Sequence, residues 1–438
     1  MASTANPMPR PGASVPSAFE EATYRKVAWR LSPLLLICYV VAYLDRVNVG
    51  FAKLQMAADL QLSDAVYGFG AGIFFFGYFI FEIPSNVILH RVGARVWIAR
   101  IMISWGIISA LTMFITTPTM FYVMRFLLGA AEAGFFPGII LYLTYWFPAR
   151  RRGRMTTLFM TAIALSGLIG GPISGWIMKT FDGVHGWHGW QWLLLLEGIP
   201  SIIVGFFVFA LLDDRIAKAK WLTQEERELL ERNIVADNVA KEDHSLGKIL
   251  SSPKVWLMSL IYFSFVMGLY GVSFWLPTII KSMGVSDALQ VGLLSAIPYG
   301  AAVIGMLYAA RSADRTGERR WHIAIPAFIG AIGLVLSVVW SSNTTLAMIG
   351  LTLATMGILT TLPLFWSLPT AFLAGTGAAA GIAMINSLGN LAGFLSPYLV
   401  GWLKQVTAST ASGMYMLAGF LVLGAVLALS VPARMVNR

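Results

Sequence analysis

The sequence predicts an all-α membrane protein of twelve transmembrane helices arranged as two six-helix halves, on three observations. Of 438 residues, 57% are hydrophobic and 12% charged, against about 25% charged in a soluble globular protein. Apolar runs near twenty residues, long enough for a hydrocarbon core of about 30 Å, recur about twelve times. Markers in the first half also return in the second at a nearly constant offset.

Taken in order, residues 1–26 are a flexible cytoplasmic tail. Their first twenty are rich in Pro, Ser and Ala and lack the apolar core of a signal peptide. The N-terminal half, 27–212, holds spans at 29–52, 64–90, 96–116, 119–147, 155–180 and 191–212. The polar linker 213–253 follows. In it Thr223 and Glu226 form a capping box, and Leu222, Leu229, Leu230 and Ile234 make one apolar stripe. This is a short amphipathic helix packed on the protein or on lipid headgroups. The C-terminal half, 254–433, holds spans at 254–280, 287–310, 321–341, 344–372, 379–403 and 411–432, before a short cytoplasmic tail at 434–438.

The repeat supports this division. Ser63, Asp64 and Ala65 return as Ser286, Asp287 and Ala288, 223 residues on, each capping the second helix of its half. Arg91, Gly93 and Arg95 return as Arg315, Gly317 and Arg319, 224 on, and Pro172 and Trp176 return as Pro397 and Trp402. Six helices followed by six in the same orientation give parallel halves with a site between them that can face each side in turn.

Charge and cysteine narrow the class. The net charge is +10, but 25 of 31 Lys and Arg fall in the termini and alternate loops. That is the positive-inside pattern of an inner-membrane protein with both termini in the cytoplasm, and it leaves no basic surface for nucleic acid. Only Lys53, Lys179, Lys281 and Lys404 belong to the opposite side. Cys38 is the single cysteine, so no intramolecular disulfide forms, and it reads as a core residue. His185 and His188 are three apart but no further ligand accompanies them, so they read as loop residues. No nucleophile–base pair or cofactor motif is visible, and a 41-residue linker is too small for a signalling domain. Enzyme and sensor are thereby disfavoured.

Against this background the charges inside apolar spans stand out: Asp45 and Arg46 in the first, Arg125 and Glu132 in the fourth. Each ionised group costs about 2.5–3.5 kcal/mol at a helix centre. Arg125 and Glu132, seven apart, share a helix face about 10 Å apart in depth. The direction of the spans puts Asp45, Arg46 and Arg125 in the outer half and Glu132 near mid-membrane. A guanidinium fork matches a carboxylate bidentately and suits a fixed anion clamp. The rival is a closed salt-bridge network of all four, a poor stabiliser beside apolar packing. Glu82 and Glu197, nearer helix ends, are expected to brace the inner gate and to pair near the outer surface. Tyr43 and Tyr78 are candidate hydrogen-bond donors to a substrate or ordinary membrane tyrosines.

Two loops and two helices carry a family resemblance. Asp314, Arg315, Thr316, Gly317, Glu318, Arg319 and Arg320 resemble the hallmark D-R-x-G-R-[RK] loop of the major facilitator superfamily. The first copy, His90 to Arg95, lacks the acidic residue. Glycine permits the tight turn and the arginines neutralise helix C-termini, so Arg91, Gly93, Arg95, Asp314, Arg315, Gly317 and Arg319 are read as gating elements.

The run from Tyr43 to Asn48, with that from Arg125 to Gly138, resembles the anion:cation symporter family of that superfamily. Ile83 to Asn86, Tyr145 to Pro148 and Gly189 to Trp192 are similar to its tartrate and hydroxyphenylacetate branches. The resemblance covers nearly the whole chain from Arg25. It implies the major facilitator fold and proton-coupled uptake of a small organic carboxylate such as tartrate, hydroxyphenylacetate or a sugar acid. Asp45 and Glu132 would take the protons and Arg46 the substrate carboxylate, with Arg125 beside it. Trp366, Asn386 and Asn390 match family cavity positions, although two amides one turn apart also serve helix packing.

The implied partners are the carboxylate, protons and membrane lipid, with no cofactor or metal and a monomeric state. Gly170 to Gly175 resembles a motif of exchangers and drug exporters, which keeps proton-coupled export as the alternative. The fifth span has no Asn or Gln, where an amide is expected for a polyhydroxylated sugar acid, and this shifts weight to smaller or more apolar carboxylates. The cavity is expected between helices 1, 4, 7 and 10, with 3, 6, 9 and 12 facing lipid.

Overall fold

The computed structural model describes residues 17–239, 251–369 and 375–437. Most of the N-terminal tail, linker residues 240–250 and the join between the tenth and eleventh spans lie outside the described residues. Those described are helical, with no strand among them. The N-terminal half comprises α1 (Ala18–Val47), α2 (Val49–Asp59), α3 (Asp64–Val92), α4 (Ala94–Leu111), α5 (Pro118–Glu132), α6 (Phe135–Thr144), α7 (Ala149–Thr180) and α8 (Gly189–Leu211). The linker contains α9 (Gln224–Val239). Then come α10 (Pro253–Ser282), α11 (Ala288–Thr316), α12 (Arg320–Val339), α13 (Thr344–Phe365), α14 (Gly375–Thr407), α15 (Ala411–Ser430) and the short α16 (Ala433–Val436).

Eleven helices among the described residues are long and apolar enough to cross a membrane, counting α1 with α2 and α5 with α6 as one span each. The 33-residue α14 is long enough to cross as well. Large apolar side chains stay exposed around the bundle, among them Phe206 and Phe207 on α8, Ile325 and Ile332 on α12, and Val422 and Val426 on α15. In a soluble protein they would form an aggregating surface; here they are the lipid face.

Local chemistry explains the helix ends. Ser63 accepts from the Val66 N–H at 3.2 Å and Asp287 from the Gln290 N–H at 3.0 Å, so the repeated Ser-Asp-Ala caps both second helices through different members. The linker capping box forms as expected, with the Glu226 N–H on Thr223 Oγ1 at 3.2 Å and the Thr223 N–H on Glu226 Oε2 at 2.8 Å. The apolar stripe packs on the protein, burying Leu222, Leu229 and Leu230, while Lys26 of α1 pairs with Glu226 at 2.7 Å.

The fourth span, expected to be one helix, is broken. Ala133 is extended and Gly134 adopts φ +83°, where a Cβ would meet Ser85 Oγ at 2.3 Å. Only glycine takes both the left-handed backbone and the close approach, so Glu132 ends α5 at a break.

The two basic loops lie on the face that carries both termini. Gly93 has φ +96° and Gly317 φ +67°. The first copy recruits the acid it lacks from the linker, since Asp214 Oδ1 accepts from the Arg95 N–H at 2.9 Å. In the second copy Arg319 pairs with Asp314 at 3.5 Å. Arg91 and Arg315 are exposed.

At the opposite, far face the two halves close on each other. Helix α3 crosses α14 and α7 crosses α11 at glycines. A Cβ on Gly68 would meet the Pro397 carbonyl at 2.4 Å, and one on Gly175 the Ala288 carbonyl at 2.4 Å. Gly175 ends the exporter-like motif, so packing accounts for it. Beside each crossing lies an ion pair between halves: Asp64 with Lys404 at 2.9 Å, and Asp287 with Lys179 at 2.7 Å. Lys281 of α10 donates to the Leu54 carbonyl at 3.0 Å, and buried Lys53 bonds Asp64 at 2.6 Å with its ammonium 3.7 Å from the Trp275 ring centroid. The four far-side lysines thus all reach across or brace the seam, and their pairing follows the sequence repeat.

Such partly exposed pairs each contribute little on their own. The double substitution Asp64→Asn with Asp287→Asn, which also takes the carboxylate from buried Lys53, should therefore open this face at least about twofold more often. A cysteine placed at Ser273, with Cys38 replaced by Ser, reports this through its labelling rate by a maleimide added from the far side. An unchanged rate would mean that the glycine crossings alone hold the seam.

Candidate functional site

Between the halves lies a cavity lined by residues of α1, α3, α6, α7, α10, α13 and α14. The expected helices 1, 4, 7 and 10 all contribute, and helices 2, 5 and 11 contribute as well. The added walls come from α3 and α7, which meet α14 and α11 across the seam at the far-face glycines, and from α14 itself. The void is narrow, with room for about two or three waters.

Arg46 stands in the cavity wall. Its Nη1 donates to the Tyr270 hydroxyl at 2.8 Å and its Nη2 forms an ion pair with Glu132 Oε1. Its guanidinium carbon lies 5.4 Å from the Phe74 ring centroid, 5.7 Å from Tyr43 and 5.8 Å from Tyr78. Aromatic faces are the environment in which a planar, weakly hydrated cation is held without full hydration. Glu132, at the break after α5, is buried behind Arg46.

The other two charges do not line the cavity. Asp45 turns the opposite way from Arg46, its neighbour on the helix, into the packing of α1 against α4 and α8. There it accepts from Trp105 Nε1 at 2.7 Å, Ser109 Oγ at 2.9 Å and Ser201 Oγ at 2.6 Å. Arg125 lies behind the wall over the Phe74 ring, where its Nη2 donates to the carbonyls of Arg46 at 3.3 Å and Ala71 at 3.4 Å. Among the described residues it has no carboxylate partner. Adjacent helix residues point about 100° apart, which is why Asp45 and Arg46 cannot share the cavity. The four charges therefore form one ion pair, one carboxylate among neutral donors and one guanidinium on carbonyls, and not a closed network.

The lesser candidates separate similarly. Tyr78, Asn386 and Asn390 line the cavity. Tyr43 instead bonds Ser273 Oγ at 3.1 Å, joined there by Tyr299 at 3.4 Å. Trp366 packs its ring 5.0 Å from that of Tyr262, a lining residue. Glu82 sits across the seam from α14 and accepts from Asn386 Nδ2 at 3.1 Å. Glu197, expected near the surface, is buried and accepts from Ser174 Oγ at 2.6 Å, because α8 turns it inward toward α7. No cluster of three or more His, Cys, Asp or Glu suited to a metal occurs among the described residues.

Sequence reading missed Tyr270, Tyr262 and Tyr39 in the cavity, and Trp105, Ser109 and Ser201 around Asp45. Nothing in their spacing separates them from ordinary core residues; only the partner across the fold does.

Comparison with known proteins agrees with this architecture. Residues 35–397 match the family model described as Major Facilitator Superfamily. The chain is 50% identical over 95% of its length, and 96% of the relative's, to "Putative metabolite transport protein NicT" of Pseudomonas putida. It is 48% identical to a "Putative tartrate transporter" of Agrobacterium vitis, over 95% of this chain and 92% of the other. It is 40% identical to a "Quinolone resistance transporter" of Acinetobacter baumannii, over 95% and 96%. Among solved structures, the xylose transporter XylE of E. coli in a partially occluded inward-open conformation superposes with TM-score 0.72 at 15% identity, covering 92% of this chain and 99% of that one.

Proposed function

Because this chain belongs to the Major Facilitator Superfamily, we propose that it takes up a small organic carboxylate together with protons by alternating access. As a member it is a multi-pass membrane transporter and not an enzyme. The observation that carries the finer reading is the buried ion pair of Arg46 and Glu132 in the cavity wall. An arriving carboxylate competes with Glu132 for the guanidinium fork. Displaced, Glu132 becomes a buried carboxylate without its cation, an expensive state in this environment, and binding a proton relieves it. Substrate and proton then favour each other, as linkage requires in both directions.

Asp45 is the second proposed proton site, lying on the opposite side of α1 from the cavity. Tyr78, Asn386 and Asn390 are proposed substrate contacts from the cavity wall, with Tyr43, Trp366 and Arg125 supporting them from behind. Arg91, Gly93, Arg95, Asp314, Arg315, Gly317 and Arg319 are proposed gate elements of the face that carries both termini. The excess of Lys and Arg in its loops supports placing that face in the cytoplasm. The relatives' names favour tartrate or another metabolite as cargo.

Proton-coupled export is the second reading, favoured by the relative named for quinolone resistance. Purified protein in vesicles with a pH dye inside separates the two. With substrate added outside and no gradient imposed, the interior should acidify as the anion enters. Alkalinisation would establish exchange of substrate for protons.

A further inference from the structure

Asp45, the second proposed proton site, has no opening of its own. It is buried against Trp105, Ser109 and Ser201, on the side of α1 turned away from the central cavity. A proton that binds there needs a path, and a neighbouring buried carboxyl supplies one.

That carboxyl is Glu197 of α8, which the coupling scheme leaves idle. Its Oε1 accepts from Ser174 Oγ at 2.6 Å, and the Asn48 amide lies within hydrogen-bonding reach. Ser174 and Asn48 both line a second cavity, set between the halves beside the close approach of Gly171 to Gly292. Hydroxyls of Ser273, Ser295 and Tyr299 face the same void, which has room for about one or two waters. It lies toward the far face, since Ser174 stands within about two turns of the end of α7 at Thr180.

On its other side Glu197 adjoins Asp45. Ser201, one turn further along α8, donates to Asp45 Oδ2 at 2.6 Å, and side chains four apart on a helix are neighbours. Asp45 is also the charged group that acts on Glu197 electrostatically. Other charged side chains on the helices packed against α8 are engaged elsewhere. Arg95 and Arg100 of α4 lie on the Phe209 carbonyl and the Trp97 ring, Lys53 and Asp59 of α2 bond Asp64 and Trp190, and Lys179 of α7 pairs with Asp287. Asp45 in turn lies within electrostatic reach of Glu132 and Arg125. Two neighbouring buried carboxylates repel, so the pair favours keeping one proton, which either member can hold.

We infer that Glu197 is a proton-relay residue that takes protons from the second cavity and passes them to Asp45. A hydronium ion in the cavity protonates the Ser174 oxygen as the Ser174 hydroxyl proton moves to Glu197, leaving the serine unchanged and the acid neutral. Glu197 then rotates toward Ser201 and protonates its oxygen, while the Ser201 hydroxyl proton moves to Asp45. One proton has crossed, Glu197 is again an anion, and both serines end as they began. This rests on the reading of Asp45 as a proton site.

Time-resolved infrared spectroscopy of the purified full chain in lipid nanodiscs tests it, with protons released by a flash from a caged acid. Each acid gives a carbonyl band when protonated, assigned by its loss in Glu197→Gln or Asp45→Asn. The Glu197 band should rise first and the Asp45 band after it. In Glu197→Gln the Asp45 band should rise at least about tenfold more slowly, a conservative figure for the loss of a positioned proton donor. Ser174→Val, which fills the place of the hydroxyl, should slow both bands as much, and it decides the matter if Glu197→Gln does not fold.

An Asp45 band that rises first, or that slows by less than this in the variants, would overturn the relay and leave Asp45 a proton site reached by another path. The absence of any band lost in Glu197→Gln would overturn it equally. The absence of any band lost in Asp45→Asn would remove Asp45 as a proton site, and the relay with it.

Discussion

Glu132→Gln is expected to bind substrate and exchange it across the membrane, yet fail to accumulate it against a gradient or acidify the vesicle interior. Gln has the shape of the protonated acid and cannot take up or release the proton. In the wild type, Glu132 holds Arg46 in an ion pair buried from solvent. The variant leaves that guanidinium free for the carboxylate in every state. Substrate affinity should therefore be retained or raised and lose most of its dependence on pH. Counterflow of labelled substrate between loaded vesicles measures exchange, and uptake under an imposed proton gradient measures accumulation. For scale, each net charge carried inward gains about 2.3 kcal/mol per 100 mV. Full accumulation by the variant would take Glu132 out of the coupling and leave Asp45 as the candidate.

Arg46→Lys should weaken substrate binding ten- to hundred-fold although the charge is kept. The guanidinium uses Nη1 on Tyr270 and Nη2 on Glu132 at once, from a position between three aromatic rings. A lysine ammonium is a point charge without a planar fork, so it cannot hold two in-plane partners and then trade one for a carboxylate. Losing one charge-assisted hydrogen bond of about 1.5–3 kcal/mol corresponds to that range. Equilibrium binding to purified protein checks it, with the melting temperature as a control that the fold persists. Unchanged affinity would place the carboxylate elsewhere, first of all on Arg125.

The two acids of the first and fourth spans differ in a way that bears on both experiments. Glu132 is tied to a cation that faces the cavity. Asp45 rests on three neutral donors from α4 and α8. On the proposed reading, substrate reaches the first directly and the second only through movement of α1. A variant at Asp45 should therefore alter the proton step with little direct effect on the affinity of the cavity.

The sequence by itself determined the class and the plan. Span lengths, the low share of charge and the offset of 223 to 226 residues between repeated markers prescribe two parallel six-helix halves, because a bilayer allows apolar helices few alternatives. The cost of ionised groups in lipid likewise marks out Asp45, Arg46, Arg125 and Glu132 from the sequence alone. Which of them meet was decided only in three dimensions. Neighbours on one helix diverge by about 100°, so Arg46 entered the cavity wall while Asp45 turned to Trp105, Ser109 and Ser201. The left-handed turn at Gly134 ended α5 at Glu132, and Arg46 took Tyr270 from the other half. The tyrosine wall and the lysines braced on Asp64 and Asp287 were equally illegible, because their partners lie up to 340 residues away along the chain. Their chemistry is that of ordinary helix residues until the seam brings them together.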